Sequence, residues 1–502
     1  MQKSRAPCFS GQTVFFLCLL LGLQAVGRER MLRDPGTFWH IVVGDRILET
    51  GSLPHSDWMS FSQGHSPWIA QQWLGEITMA ALHRIGGLDA LLFAASAGLA
   101  GTYSFIGLRL RRAGIPWRWV VILVGVTIAA SSYHFLARPH LFTIVAMAAM
   151  YALLCDIEAG SIAVNRLWIL PGLMILWTNV HGGAIGGLAT ILFVLAGWII
   201  FGNSIDLSRS RSAQTLVVGT IAGLCIVSVL ANPYGAVLPA TWLRLLTSPV
   251  LPQMIIEHAP PKLWSFETMM LFALAVVYLW TLRRAWGANR RVTWLAPLLW
   301  LPLAISRVRH GPLFALTATL AIAEMWPFAR EMGSPKLSVG KTAARNSPLP
   351  PTAVMVVASI AIGLIIQRTG LELPLIGRKW AVISNNYWPV QTVEELRRQT
   401  RGMNHRPRVF NDLLFGGYLA FQNPDALLYI DDRCELYGDC GLLTYAHLCR
   451  DATDFDALAS YDRYDFAIVH RGCLLDQHLA TSPSWRALSS DPVSTLYTRK
   501  AG

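Results

Sequence analysis

Long apolar runs separated by short polar connections dominate the chain up to about residue 370. Runs of about 17–25 apolar residues are long enough to cross a bilayer as helices, and about eleven such runs can be read along the sequence. They lie near residues 12–27, 88–107, 118–136, 141–157, 167–180, 184–201, 214–231, 267–282, 292–306, 312–328 and 352–367. This pattern predicts a polytopic α-helical membrane protein with about 11 transmembrane helices.

The pattern changes in the last part of the chain, where apolar runs shorten and charged residues become more frequent. Residues 427–430 and 466–469 read as short strands, and residues 393–399 and 455–461 read as helical stretches. Mixed short strands and helices of this kind are typical of a small α/β domain.

We therefore expect two domains, a transmembrane domain over 1–367 and an α/β domain over 368–502. The membrane domain includes a long first loop at 28–87. A Ser-, Pro- and Gly-containing stretch at 329–351 is predicted to be a flexible linker within it.

Composition agrees with a membrane protein and narrows the range of partners. The chain is 53% hydrophobic and only 14% charged, whereas a soluble domain carries about 25% charged residues. The net charge of +12 could indicate nucleic-acid binding. The arginines, however, lie in short clusters between apolar runs and form no basic stripe interleaved with aromatic residues, so we expect no nucleic acid as a partner.

Positive charges in short loops predict the orientation, because such loops stay in the cytoplasm. Arg109–Arg118 and Arg283–Arg291 fall on one side if the spans alternate, together with the linker. The first loop and the C-terminal domain then lie on the other side. We expect a multi-pass protein of the inner (plasma) membrane with an extracytoplasmic C-terminal domain.

The extracytoplasmic connections also contain the unusual polar residues of the membrane domain. Such residues at membrane depth are costly unless they are paired or hydrated, so their shared side predicts one extracytoplasmic cavity. For any single residue, anchoring at the lipid headgroups is an equally good interpretation. The candidate substrate-binding residues are Arg138, His140, Asn179, His181, Asn232, Tyr234, Arg307, Arg309 and His310.

The first loop supplies candidate carboxylates. It begins with the sequence RDPGTFWH at 33–40, directly after a span, and its aromatic pair suits the membrane interface. Asp34 would therefore lie near the headgroup of a lipid-linked substrate, although Asp-Pro is also a common start of a turn. Asp57 and Glu76 follow, the latter in a predicted interfacial helix over 71–85.

Several short motifs occur in a recognisable order along nearly the whole chain. They are RPH at 138–140, NVHGG at 179–183, NPYG at 232–235, FND at 410–412, GGYL at 416–419, DDR at 431–433 and YG at 437–438. Together with the first loop, they resemble the GT-C class of membrane glycosyltransferases. The likeness is to a bacterial branch related to oligosaccharyltransferase catalytic subunits and protein mannosyltransferases.

This resemblance implies an inverting glycosyltransferase. The donor would be a sugar linked to polyprenyl phosphate, and the extracytoplasmic acceptor would be a glycan, a lipid or a protein at the membrane. The resemblance implies a first-loop carboxylate as the base. The candidate catalytic residues are Asp34, His40, Asp57 and Glu76.

The resemblance also bears on a metal cofactor. First-loop acids of the class act as the base or hold a divalent cation, which would be Mg²⁺ or Mn²⁺, with Asp34 and Asp57 as candidate ligands here. Gly36 stands where that branch has a second acid, and this departure weakens the case for a metal.

Two other function classes remain open at this point. Pro171, Pro297 and Pro302 interrupt spans, as in a lipid or glycan transporter. Gly36 is also compatible with a catalytically inactive scaffold of the same fold.

Further motifs narrow the chemistry. The sequence has no phosphate-binding loop for nucleotide hydrolysis and no Cys/His spacing typical of zinc.

An oxidising compartment would allow one or two disulfides in the tail, in a pairing that the sequence does not reveal. The cysteines concerned are Cys434, Cys440, Cys449 and Cys473.

Overall fold

The computed structural model describes residues 11–202, 210–331 and 351–500, so most of the predicted linker at 329–351 lies outside the described residues. The helices within these ranges are α1 (Gly11–Arg30), α2 (Pro35–Thr50), α3 (Trp73–Arg112), α4 (Trp117–Ser131), α5 (Leu141–Glu158), α6 (Ile169–Val180), α7 (Ala184–Phe201), α8 (Arg211–Ser228), α9 (Val237–Thr247), α10 (Leu251–Met254), α11 (Phe266–Ala285), α12 (Ala296–Ser306), α13 (Gly311–Glu331), α14 (Pro351–Thr369), α15 (Val390–Thr400), α16 (Gly416–Gln422), α17 (Cys434–Leu448), α18 (Ala452–Tyr461) and α19 (Leu474–Thr481).

Each of the eleven predicted spans corresponds to a helix. Seven helical segments of the described chain are long and apolar enough to cross a membrane, namely α1, α3, α5, α7, α8, α11 and Val308–Arg330, which includes most of α13. The remaining four predicted spans correspond to α4, α6, α12 and α14, whose apolar parts are shorter than the length a straight crossing needs. The described part of the chain is therefore mostly helical, with seven candidate spans by length and composition.

Helix α3 consists of two helical segments joined by a kink. Gly86 and Gly87 have non-helical backbone angles, and Gly87 has a φ of 65°, which glycine adopts without strain. A Cβ atom at Gly86 would lie 2.5 Å from the Cβ of Gln367 in α14, so the kink also requires a close approach. It separates the predicted interfacial helix from the predicted span at 88–107.

The tail contains the strands β1 (Arg408–Asn411), β2 (Leu427–Leu428), β3 (Phe466–His470), β4 (Trp485–Ser490) and β5 (Ser494–Arg499). They form one mixed five-stranded sheet in the order β2-β1-β3-β5-β4. β1 pairs with both β2 and β3 in parallel, and β5 pairs with β3 and β4 in antiparallel fashion. β2 and β3 fall at the two predicted strand segments.

The first loop and the tail share a hydrophobic core. Phe38 of α2 contacts the rings of Trp388 and Tyr418 edge-on, with centroids 5.1 and 5.2 Å apart. The loop also extends the sheet beside β2, because Phe61 N donates to Leu428 O and Leu428 N donates to Met59 O, both at 2.9 Å. These contacts fix the first loop against the tail.

The cysteines of the described residues form no disulfide in this structure. All cysteines of the described residues are free thiols, including the four in the tail, Cys434, Cys440, Cys449 and Cys473.

Candidate functional site

A cavity of about 380 Å³ lies where the first loop, the tail and the ends of several membrane helices meet. Five histidines, two arginines and four acids contribute to its polar wall. They are His134, His140, His181, His258, His310, Arg138, Arg309, Glu76, Glu257, Asp432 and Glu435. The rest of the wall is largely apolar and includes Ile144, Ile185, Ala189, Leu303 and Leu313. Such a lining suits a molecule that has both a charged and an apolar part.

Asp34 is held in a fixed orientation beside this cavity. Its Oδ2 accepts a hydrogen bond from Thr37 N at 3.1 Å and caps the start of α2, where Pro35 occupies the first turn. Its Oδ1 accepts from Arg138 Nη1, also at 3.1 Å. One oxygen of Asp34 therefore has the turn-capping role that the Asp-Pro sequence suggested. The other oxygen forms an ion pair at the cavity.

Arg138 lies on the wall of the cavity between carboxylates from different parts of the chain. Its Nη1 is 3.1 Å from Asp34 Oδ1 and 3.4 Å from Glu257 Oε1. Asp432, which follows β2 in the tail, is close enough to interact electrostatically with both Arg138 and Asp34. Three chain segments thus place negative charge around one guanidinium.

The three carboxylates differ in acidity. Burial raises the pKa of Asp34, although Arg138 opposes this effect. Burial, followed by the charge of Asp34, raises the pKa of Asp432 much further. The pKa of Glu257 stays below its usual range, because Arg138 and neighbouring His134 outweigh the effect of burial.

His181 is set up as a hydrogen-bond donor to the cavity. Its Nδ1 accepts from Gly183 N at 2.9 Å. Thr143 Oγ1 lies 2.8 Å from the same nitrogen and itself accepts from Trp177 Nε1, so its hydroxyl proton is free to bond Nδ1. Burial lowers the pKa of His181 well below its usual value. The neutral ring therefore carries its proton on Nε2.

Arg309 and His310 line the cavity, whereas Arg307 does not. Arg309 Nη1 lies 2.8 Å from His258 Nε2, and burial, with the charge of Arg309, lowers the pKa of His258 to about 3, so this imidazole accepts the hydrogen bond. Arg307 donates to Leu246 O, in the last turn of α9, at 2.9 Å.

His40 and Glu76 form a fully buried pair, with 3.0 Å between Nδ1 and Oε1. Glu76 borders the cavity beside Trp39, while His40 lies behind it. His40 Nε2 and Glu76 Oε2 are buried without a hydrogen-bond partner among the described residues.

Three of the candidate binding residues support the scaffold around the cavity. Asn179 accepts from Trp73 Nε1 at 2.7 Å and donates to Ala231 O, so it joins three chain segments. Asn232 donates to the backbone of its own turn. Tyr234 Oη accepts from Ala70 N at 3.2 Å. None of Asn179, Asn232 and Tyr234 is on the cavity wall.

His140 does line the cavity. Its Nε2 lies 2.6 Å from the carbonyl oxygen of His134 and donates to it. Burial lowers the pKa of His140 to about 4, so the ring is neutral near pH 7.

Asp57 does not reach the cavity. Its oxygens accept from the backbone of Met59 and Ser60, and Oδ1 lies 2.8 Å from Arg433 Nη1 in a fully buried ion pair. Both carboxylate oxygens of Asp57 already have partners within the protein, which leaves no free oxygen for a metal ion or substrate.

The structure adds cavity residues that the sequence did not single out. Glu257 and His258 lie in the connection after α10, where no motif marks them, and His134 ends a helical turn after α4. Asp432 belongs to a motif noted in the sequence, but the sequence does not show that it lines the cavity while its neighbour Asp431 binds Arg433.

The carboxylates of this site fit a divalent cation poorly. A hard cation needs free oxygens directed at one point, whereas the guanidinium of Arg138 already lies between Asp34 and Glu257. Among the described residues, one group has ligand atoms spaced for a metal, and it lies in the tail, away from this cavity. It consists of His447, Asp451 and Asp454.

Comparisons with known proteins bear on the fold. No protein-family model matches the chain, and no curated protein matches it in sequence. Among solved structures, ArnT from Cupriavidus metallidurans bound to undecaprenyl phosphate matches with a TM-score of 0.51 and 13% identity, over 98% of this chain and 99% of that one. The same enzyme in the apo state matches with a TM-score of 0.50 and 15% identity, over 97% of both chains.

A second similar protein comes from archaea. The oligosaccharyltransferase AglB from Archaeoglobus fulgidus, in complex with an inhibitory peptide and a dolichol-phosphate, matches with a TM-score of 0.50. The identity is 10%, over 92% of this chain and 70% of that one. At such low identity the likeness supports the fold. ArnT and AglB are both GT-C class membrane glycosyltransferases, and the chain therefore has the GT-C fold that its sequence motifs predicted.

Proposed function

We propose that the protein is an inverting membrane glycosyltransferase. It transfers a sugar from a polyprenyl-phosphate-linked donor to an extracytoplasmic glycan, lipid or protein acceptor. The observation that carries this proposal is the position of Asp34. Its carboxylate caps α2 and lies next to a cavity whose wall is rich in Arg and His side chains.

Asp34 is the residue best suited to act as the base. A general base works best when its pKa lies near the working pH and its orientation is fixed. Glu257, with its lowered pKa, is a weak base. Asp432 lacks the hydrogen bonds that orient Asp34, because its Oδ1 is buried without a partner among the described residues. Asp34 combines a raised pKa with a fixed orientation.

In the proposed reaction, the acceptor hydroxyl attacks the anomeric carbon of the donor sugar as its proton passes to Asp34. The bond between that carbon and the phosphate oxygen breaks, and the lipid phosphate leaves as an anion. A single displacement of this kind inverts the anomeric configuration.

The leaving phosphate needs fixed hydrogen-bond donors, since negative charge develops on it. Arg309 supplies a planar guanidinium on the cavity wall, and the Nε2 proton of His181 supplies a neutral donor. The apolar part of the wall would accommodate the first isoprene units. Undecaprenyl phosphate in ArnT and dolichol-phosphate in AglB are lipids of this chemical class.

The proposed topology follows the sequence prediction. About eleven helices would cross the inner (plasma) membrane, with the shorter helices embedded among the longer ones. The cavity, the first loop and the C-terminal domain would face the extracytoplasmic side.

A transporter is supported less well by the position of the charged residues. Transport pathways place ionisable groups near the middle of spans. Here the charged and histidine residues lie at helix ends: Arg138 and His140 directly precede α5, His181 lies between α6 and α7, and Arg309 directly precedes α13.

The test uses purified protein in vesicles with a panel of undecaprenyl-phosphate-linked sugars and membrane acceptors. Release of undecaprenyl phosphate and formation of an inverted product by the wild-type chain, together with loss of both in Asp34→Asn, would support the proposal. Asp45→Asn is a matched control, because Asp45 lies on the same helix in a partly exposed pair with Arg84. Equal transfer by Asp34→Asn and Asp45→Asn would disprove the role of Asp34.

A further inference from the structure

Arg138 is a permanent positive charge at the centre of the acidic part of the cavity. An arginine side chain does not lose its proton in proteins. The guanidinium lies 3.1 Å from Asp34 and 3.4 Å from Glu257, and the charge of Asp432 acts on it as well. Arg138 thus provides the neutralising charge that several carboxylates in one site require.

Gly36 provides the space that this guanidinium occupies. A Cβ atom built on Gly36 would lie 2.6 Å from Cζ and 2.7 Å from Nε of Arg138, closer than real Cβ contacts. It would also lie 2.7 Å from Asp34 Oδ2. Gly36 is in the first turn of α2, where alanine is intrinsically favoured over glycine. The presence of glycine at position 36 is therefore explained by the space that the Arg138 guanidinium occupies, and not by the helix.

A side chain at position 36 could enter this space only if the guanidinium of Arg138 moved away from its place beside Asp34. An acid at that position would project into the space of the guanidinium and add an oxygen to those of Asp34 and Glu257. In this chain the same space is filled by a cation that is part of the protein. The two features therefore belong to one arrangement.

We propose that the Arg138 guanidinium takes the place of a divalent cation in this site, and that Gly36 is required to seat it. The site then works without a bound metal ion, and Arg138 holds the Asp34 carboxylate in position while it offers positive charge to an anionic substrate. The substrate part of this inference rests on the proposed function, whereas the metal part does not.

The first experiment measures Mn²⁺ binding to the purified chain in detergent by electron paramagnetic resonance. We expect neither the wild-type protein nor Arg138→Lys, which keeps the charge, to bind Mn²⁺ at Asp34. The substitution Asp34→Asn should therefore leave their Mn²⁺ signal unchanged. Arg138→Gln leaves Asp34, Glu257 and Asp432 without their cation. We expect it to gain Mn²⁺ binding and to show a rise in melting temperature on addition of millimolar Mn²⁺.

Stoichiometric Mn²⁺ binding by the wild-type chain, lost in Asp34→Asn, would overturn the proposal. So would a folded Arg138→Gln variant that is indifferent to Mn²⁺. Because neither readout needs sugar transfer, an inactive chain that behaves as expected towards Mn²⁺ would refute the proposed function and leave this inference intact.

A second measurement remains informative if Arg138→Gln does not fold. Gly36→Ala should lower the melting temperature of the wild-type chain, because the added methyl group would displace a partly buried guanidinium that two carboxylates hold in place. In an Arg138→Ala background the same substitution should cost much less, and this difference measures the coupling of the two positions. Gly98→Ala is the control, since a Cβ atom there meets nothing within 4 Å. Equal losses from Gly36→Ala in both backgrounds would contradict the seating role of Gly36.

Discussion

Arg433 Nη1 lies 2.8 Å from Asp57 Oδ1, and both side chains are fully buried. Asp57 belongs to the first loop, and Arg433 lies at the start of α17 in the tail. The guanidinium also binds both oxygens of Asp431, at 2.9 and 2.7 Å. Because Asp432 lies between Asp431 and Arg433, this ion pair fixes the position of one of the acidic residues that the tail contributes to the cavity.

Substitution Arg433→Met should strongly destabilise the protein. It leaves Asp57 and Asp431 buried without their partner, and breaking a buried ion pair costs about 3–5 kcal/mol. The free energy of unfolding in detergent, followed by chemical denaturation, measures this loss. Arg398→Met is the control, because Arg398 is exposed and pairs with Glu395 only at the surface. An equally small effect of both substitutions would show that the buried pair is unimportant for stability.

Substitution Asp34→Asn should reduce sugar transfer by about 10²–10⁴-fold, the usual contribution of a general base. The amide can still accept a hydrogen bond from Thr37 N, so the cap of α2 should be kept, and Glu257 still pairs with Arg138. Initial rates at saturating donor provide the measurement. A rate close to that of the wild type would assign the base to another residue.

The rate of transfer should rise with pH on the acidic side of the profile. Burial raises the pKa of Asp34, so the inflection should lie above about 3.9, the value of a free aspartate. Below the inflection Asp34 is protonated and cannot accept a proton, and above it the carboxylate is ready to act. The residual rate of Asp34→Asn should lack this limb. A wild-type profile with an inflection at or below the value of free aspartate would contradict the assignment.

The sequence was sufficient for the helical framework because span length and apolar composition are local properties. It was not sufficient for α2, which appears inside a polar loop because Asp34 caps it and Phe38 packs on Trp388 and Tyr418. The shortest strand, β2, has two residues and is defined by its pairing with β1. Contacts between distant segments decide such elements.

The sequence indicated one polar cavity, and the structure places Arg138 and His181 on one wall, with Asp34 in contact with Arg138. It did not distinguish Arg309, which lines the cavity, from Arg307, which bonds to the backbone carbonyl of Leu246 and does not line it. Both residues have the same chemistry and lie two positions apart. Only the turn before α13 determines which one faces inward.

The orientation in the membrane can be tested by labelling engineered cysteines with a membrane-impermeant maleimide. In a background without the accessible native cysteines, Ser52→Cys in the first loop should react in intact cells. Ala288→Cys, in a loop predicted to be cytoplasmic, should react only after the cells are opened. Both positions are exposed, so accessibility within the protein is matched. The reverse pattern would place the cavity on the cytoplasmic side and refute transfer to an extracytoplasmic acceptor.

Binding of the lipid carrier should depend on Arg309. Undecaprenyl phosphate without a sugar is a suitable ligand, and its binding can be followed by tryptophan fluorescence, since Trp39, Trp242 and Trp300 line the cavity. A hydrogen bond to a charged group contributes about 1.5–3 kcal/mol, so Arg309→Ala should weaken binding by about tenfold to a hundredfold. Arg284→Ala, at the end of α11 over the ring of Trp280, serves as the control and should leave the affinity unchanged.

Because Arg309 also orients His258, a His258→Gln variant separates the two effects. It keeps a hydrogen-bond acceptor for Arg309 and should bind the lipid nearly as well as the wild type. If Arg309→Ala and the wild type bind undecaprenyl phosphate equally, the phosphate is held elsewhere in the cavity.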